Sequence, residues 1–165
     1  MRRPLEAGMM NGHFMSIAIE EAYAGIKAGR GGPFGAVVVM DGEVLGAAHN
    51  TVLSDNDPVR HAEMKAISMA AARLGTYDLS GCEIYSTTEP CPMCFSAIHW
   101  ARIHKLIYGT SIDDVRKLGF NELTIPAARM KREGGSPVKM EPGFMHAECE
   151  QLLKFWETLP DKKVY

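Results

Sequence analysis

The sequence predicts a three-layer α/β/α domain built on a central, mixed, five-stranded sheet. Three observations carry this expectation. Helical and strand-like patterns alternate along the chain, the order of α/β folds. An Asp41-Gly42 pair separates two β-rich runs, the mark of a tight antiparallel hairpin. Finally, 165 residues suit one domain with a sizeable core and are too few for two ordinary ones. No internal repeat, low-complexity segment or linker divides the chain, so residues 1–165 are read as a single domain.

The elements follow in order. Phe14, Ile17, Ala18, Ala22 and Ile26 fall at helical spacing between Gly12 and Gly29, and the glycines after Ala28 permit an αL cap. Gly31-Gly32-Pro33-Phe34-Gly35 then leads into a strand, Ala36–Met40, which pairs through Asp41-Gly42 with Glu43–Ala48. This glycine-rich stretch follows a helix and precedes a strand, the reverse of a phosphate loop, and lacks Gly-Lys-Ser/Thr. Close backbone packing or room for a ligand is the better reading. Asn50–Val59 is a polar loop, and His61–Leu74 an alanine-rich helix closed by Gly75. Glu83–Thr87 is a strand, Pro92–Arg102 a helix with proline at its first position, and Lys105–Gly109 a strand. Beyond Thr110 the pattern weakens to a short helix at Ser111–Leu118, a strand at Pro137–Met140 and a helix at Cys149–Thr158.

Composition narrows the function classes. The hydrophobic fraction of 46% and charged fraction of 23% are those of a globular chain. A net charge of −2 supplies no field to attract nucleic acid over distance. No apolar run approaches the roughly 18 residues of a membrane span. Met1-Arg2-Arg3-Pro4-Leu5-Glu6 lacks the apolar core of a secretory signal, so a cytoplasmic protein is expected. Of four cysteines, Cys91 and Cys94 have metal-like spacing, while Cys82 and Cys149 read as buried or neutral thiols.

The chemistry concentrates in His61-Ala62-Glu63 and Pro90-Cys91-Pro92-Met93-Cys94. Two thiolates and one imidazole make the three-ligand set of a catalytic zinc site, with a fourth position left for water. On a continuous helix His61 and Glu63 point about 200° apart. They can share a site only beyond the helix N-terminus, and Cys91 and Cys94 also sit at a predicted helix start. Two helix ends aimed at one ion favour thiolates. Zinc there would generate hydroxide near neutral pH, with Glu63 moving the proton to a leaving amine: hydrolytic deamination. A structural zinc knuckle would need a fourth ligand, and neither Cys82 nor His99 has knuckle spacing. A redox cysteine pair would not need His-x-Glu.

These residues resemble the zinc-dependent cytidine/deoxycytidylate deaminase superfamily, whose His-x-Glu…Pro-Cys-x-x-Cys signature is a general mark of zinc deaminases. The likeness runs from about Gly31 to the C-terminus. It is nearest to small bacterial guanine deaminases, through Gly31–Gly35, Asn56-Asp57-Pro58, Ile98–Arg102, Gly119-Phe120-Asn121-Glu122 and Tyr165. The resemblance implies a cytidine deaminase-like fold with one zinc per subunit on His61, Cys91 and Cys94, and Glu63 as proton shuttle. It implies that Asn50 and the Ala62 backbone N–H bind a purine, that Phe34 packs on it, and that Glu122 reads guanine's donors. It also implies a homodimer, with the segment from about 144 to 165 exchanged between subunits and Trp100 and Tyr165 enclosing a shared pocket.

Other readings stay open at this level. A tRNA wobble-adenosine deaminase shares both motifs, although Lys131, Arg132 and Lys139 make no RNA-binding face. Cytosine or nucleoside deamination fits the metal motif equally. From a different class, a non-catalytic zinc-stabilised binding protein could keep the scaffold alone.

Overall fold

The computed structural model describes residues 10–165, so the reading of Met1–Glu6 lies outside the described residues. Helix α1 (Gly12–Lys27) starts at Asn11, whose Oδ1 accepts the His13 N–H at 2.9 Å, and its end is followed by Gly29 at positive φ. Strands β1 (Gly35–Met40) and β2 (Glu43–His49) form the expected hairpin. Asp41 and Gly42 both take positive φ, as the twist-matched two-residue turn requires. Gly35 lies against the Ala18 carbonyl, where any Cβ would collide, so the glycine-rich stretch does serve close packing.

The sheet runs β2-β1-β3-β4-β5, with β3 at Glu83–Thr88, β4 at Lys105–Thr110 and β5 at Lys139–Glu141. β1 is antiparallel to β2 and β3, whereas β3, β4 and β5 run parallel; the sheet is mixed and five-stranded, as the sequence predicts. Strand alternation sends Val37, Val39, Tyr85 and Ile107 to one face, against α1 and Cys149 of α7 (His146–Glu157). Ala36, Val38, Ile84 and Leu106 go to the other face, against α3 (Ala62–Leu74) and α4 (Pro92–Trp100). Those two faces make the three layers.

The differences are local. The loop after Asn50 contains one helical turn, α2 (Val52–Asp55), closed by Asn56 in the left-handed region. Beyond β4, α5 is shorter than expected (Ile112–Arg116), and α6 (Ala127–Gly134) went unforeseen because Ala127 is its only fully buried residue. Its apolar side is Ala127 and the partly buried Met130, one turn apart, a stripe too short to read from the sequence. Helix α7 begins about one turn earlier than the sequence suggests, after Met145 in the left-handed region.

Candidate active site

His61 is the N-cap of α3 and Cys91 the N-cap of α4; both have extended backbones and neither side chain caps its own helix. Each is therefore free to point past its helix end. Pro92 occupies the first turn of α4 and puts Cys94 one turn inward. His61 Nδ1 lies 3.6 Å from Cys91 Sγ and 3.5 Å from Cys94 Sγ. Tetrahedral zinc, at about 2.3 Å from sulfur and about 2.0–2.1 Å from nitrogen, needs N···S separations of about 3.6 Å. The three donors fit the ion. They are the one such cluster of three among the described residues.

Local electrostatics agree with that use. Cys91 is pushed down to about 4, foremost by a hydrogen bond with Cys94 and further by His61, against burial. An ionised sulfur beside an imidazole is a donor set suited to zinc. Cys94 is shifted the other way, by the same bond with Cys91 and by burial. Burial works against protonation of His61, yet the hydrogen bond to Cys91 and the Glu63 charge raise it overall.

Glu63 is buried at 4% exposure and its Oε1 accepts the Ser86 hydroxyl at 3.1 Å. Its other oxygen lies 3.5 Å from Cys94 Sγ, beside the ligand cluster. Burial raises its pKa, with the Cys91 charge adding and His61 opposing. A carboxylate moved towards neutrality by burial is suited to carrying a proton. Ser86 escaped the sequence reading. The signal was a small hydroxyl on the α3-facing side of β3, in register with Ala36 and Tyr108.

The cluster opens on a cavity of about 340 Å³. Of the sequence-derived candidates, Phe34, Asn50, Glu122 and Tyr165 line it together with His61, Glu63 and Cys91. Phe120 and Asn121 line it too, and Phe120 is the aromatic hub: its ring sits 5.3 Å from Phe34 and 5.1 Å from both Tyr165 and Trp156. Asn50 is 1% exposed; its Oδ1 accepts the Val52 N–H at 3.0 Å, while its Nδ2 makes no full hydrogen bond and lies beside the Tyr165 hydroxyl. Gly31 makes room for it, since a Cβ there would strike the Asn50 carboxamide. Glu122 is half-buried and pushed up to about 7 by burial and by the Cys91 and Glu63 charges.

The C-terminal residue bridges two sides of this cavity within one chain. The Gly32 N–H donates to the Tyr165 hydroxyl at 3.2 Å, and the Tyr165 carbonyl accepts the Asn121 N–H at 2.9 Å. Burial raises the phenol's pKa. Two candidates sit elsewhere. The Ala62 side chain is in the core at 0% exposure, so only its first-turn amide can face the site. Trp100 is 81% exposed beside Tyr77 and Arg102, outside this cavity. The reason is helical rise: from Cys94 to Trp100 the chain climbs about 9 Å along α4, away from the metal end.

Residues 10–110 match the family model described as the cytidine and deoxycytidylate deaminase zinc-binding region. A guanine deaminase of Bacillus subtilis (strain 168) is 38% identical over 156 residues, covering 92% of this chain and 97% of that protein. A tRNA-specific adenosine deaminase of Aquifex aeolicus (strain VF5) is 45% identical over 152 residues, covering 89% and 94%. The solved guanine deaminase from Nitrosomonas europaea superposes with a TM-score of 0.83 at 31% identity, covering 95% of this chain and 88% of that one.

Proposed function

The chain belongs to the zinc-binding cytidine and deoxycytidylate deaminase family, and from that premise we propose that it converts guanine and water to xanthine and ammonia. Zinc-dependent hydrolytic deamination is the family's chemistry; guanine is the inference. The observation that carries it is Glu122, a half-buried carboxylate sharing one cavity with Glu63 and the metal ligands. Guanine presents an amide-like ring N–H next to its exocyclic amine, and a carboxylate accepts such paired donors. Adenine has no ring N–H there. Asn50 Nδ2, which makes no full hydrogen bond, supplies a donor for the base's acceptor edge.

His61, Cys91 and Cys94 would hold the zinc ion, which would supply the Lewis acidity that makes water a nucleophile at neutral pH. Glu63, held through Oε1 by Ser86, receives the water's proton and delivers it to the ring nitrogen beside the attacked carbon. It then relays a second proton to the exocyclic nitrogen. The C–N bond breaks and ammonia leaves, the oxygen remaining on the ring as the new carbonyl. Phe34, Phe120 and Tyr165 keep bulk water from the base by walling the cavity.

The Aquifex relative gives the rival reading, deamination of adenosine in tRNA, its specific support. Against it, the net charge is −2, and Arg129 and Arg132 on α6 each lie near Glu133. The deciding measurement is ammonia release from guanine, guanosine, cytosine, cytidine, adenine and a tRNA anticodon stem. Guanine is expected to be the best substrate; turnover of the tRNA stem or cytosine with none on guanine overturns the assignment.

A further inference from the structure

Glu89 takes part in no step above, yet it stands between the two halves of the site. It follows β3, precedes Cys91 by two positions and is 5% exposed. A buried carboxylate is costly unless its oxygens are paired. Here both are paired with main-chain amides. Oε2 accepts the Ile112 N–H at 2.8 Å and Oε1 accepts the Ala127 N–H at 2.7 Å. Those amides open α5 and α6, and both residues are buried, so water offers them little alternative.

Between α5 and α6, residues 117–126 form neither helix nor strand, yet they deliver Phe120, Asn121, Glu122 and Leu123 to the cavity wall. An irregular segment costs about 1–2 kcal/mol of backbone entropy per ordered residue. Glu89 holds one end directly, at Ala127, and the other through the short helix α5, whose first amide it fixes at Ile112. The base of that tether is itself braced. The Glu89 N–H bonds the Thr110 carbonyl at 2.8 Å, and Thr110 Oγ1 bonds the Thr87 carbonyl at 3.2 Å.

We propose that Glu89 is a positioning residue that fixes the recognition segment 117–126, and with it Glu122, at a set distance from the zinc ligands of α4. This rests on the guanine reading of Glu122. Charge-assisted hydrogen bonds are short and about twice as strong as neutral ones, and a misplacement of about 1 Å can cost about 100-fold in rate. Glutamine keeps one acceptor oxygen but turns two donor hydrogens towards the second amide. Aspartate keeps the charge and, one methylene shorter, cannot span both amides.

The test is a double-mutant cycle of Glu89→Gln and Glu122→Gln, read as kcat and KM on guanine, zinc content and amide hydrogen exchange. Glu89→Gln should keep its zinc, lose about 10–100-fold in kcat/KM mainly through KM, and speed exchange across 112–127 while β3 and α4 stay protected. The double variant should lose clearly less than the product of the two single losses, because Glu122, one of the groups that Glu89 positions, is already gone while Phe120 and Asn121 remain. Losses that multiply, or full activity of Glu89→Gln beside an impaired Glu122→Gln, overturn the positioning role and leave guanine recognition standing. An unimpaired Glu122→Gln sinks guanine recognition instead, and the exchange data then decide alone whether Glu89 tethers the segment. Should Glu89→Gln not fold, Glu89→Asp must raise KM; a parental KM refutes the proposal.

Discussion

Replacing Asn50 with alanine separates stability from recognition, because the two ends of its carboxamide do different work. Oδ1 accepts the Val52 N–H at 3.0 Å, and losing that bond strands a buried N–H at a cost of about 1–3 kcal/mol. Nδ2 is a buried donor that makes no full hydrogen bond, though it lies beside the Tyr165 hydroxyl, and deleting it relieves at most about 1–3 kcal/mol of desolvation. The two effects oppose each other. We expect a net change of about 1 kcal/mol in either direction, a Tm shift of about 2–4 °C for a chain of this size. Activity has no such compensation. Without the donor, an acceptor on the base is buried unpaired at a cost of about 1–3 kcal/mol, which is a loss of about 5- to 160-fold in kcat/KM. Asn50→Asp keeps the Val52 bond and replaces the donor with an acceptor, so its loss should match or exceed that of alanine. The assay pairs ammonia-release kinetics on guanine with thermal unfolding. Both variants within twofold of the parent would falsify the claim that Nδ2 meets the base. A Tm drop above about 8 °C would mean that the activity loss reports unfolding.

Four further outcomes are expected. Glu63→Gln should retain zinc and lose about 10²–10⁴-fold in kcat, as removal of a general acid–base does; near-normal turnover removes it from proton transfer. Ser86→Ala, which deletes a hydrogen bond to a buried carboxylate, should lower kcat about 10-fold or more with KM nearly steady; an unchanged kcat assigns Ser86 to packing. Dialysis against a strong chelator should abolish activity and lower Tm, both restored by zinc, since the ion joins the starts of α3 and α4; zinc-free protein that still turns over refutes the metal role. Because burial pushes Glu122 up to about 7, its acceptor form is lost as pH falls through that value. KM for guanine should therefore rise below about pH 7, and an equally steep acidic limb in Glu122→Gln assigns that limb to another group.

The metal half of the site was legible because it is local. His61, Cys91 and Cys94 lie at or just inside two helix starts that alanine, proline and glycine punctuation reveal, and their spacing carries the ligand geometry. The substrate half was legible only through family likeness: Phe34, Asn50, Glu122 and Tyr165 are scattered over the chain, and no periodicity joins them. Trp100, which the family likeness assigns to a pocket shared between two subunits, lies exposed at the far end of α4 in the single chain. Ser86 and Glu89 were missed for a different reason. Each acts through a partner that is distant in sequence, Glu63 in one case and the Ile112 and Ala127 amides in the other.

The sequence by itself determined the layered α/β architecture, the hairpin at Asp41-Gly42, the two helix starts and the three metal donors. These rest on alternation, capping and turn chemistry, which act over a few residues. Only the tertiary structure decided that Asn50 Nδ2 is left without a full hydrogen bond, that Tyr165 spans Gly32 and Asn121, and that Glu89 ties down the segment bearing Glu122. Each of those depends on where buried polar atoms meet after the chain has packed. Such meetings are fixed by which donors and acceptors lose access to water together, and that is a property of the whole fold rather than of any stretch of it.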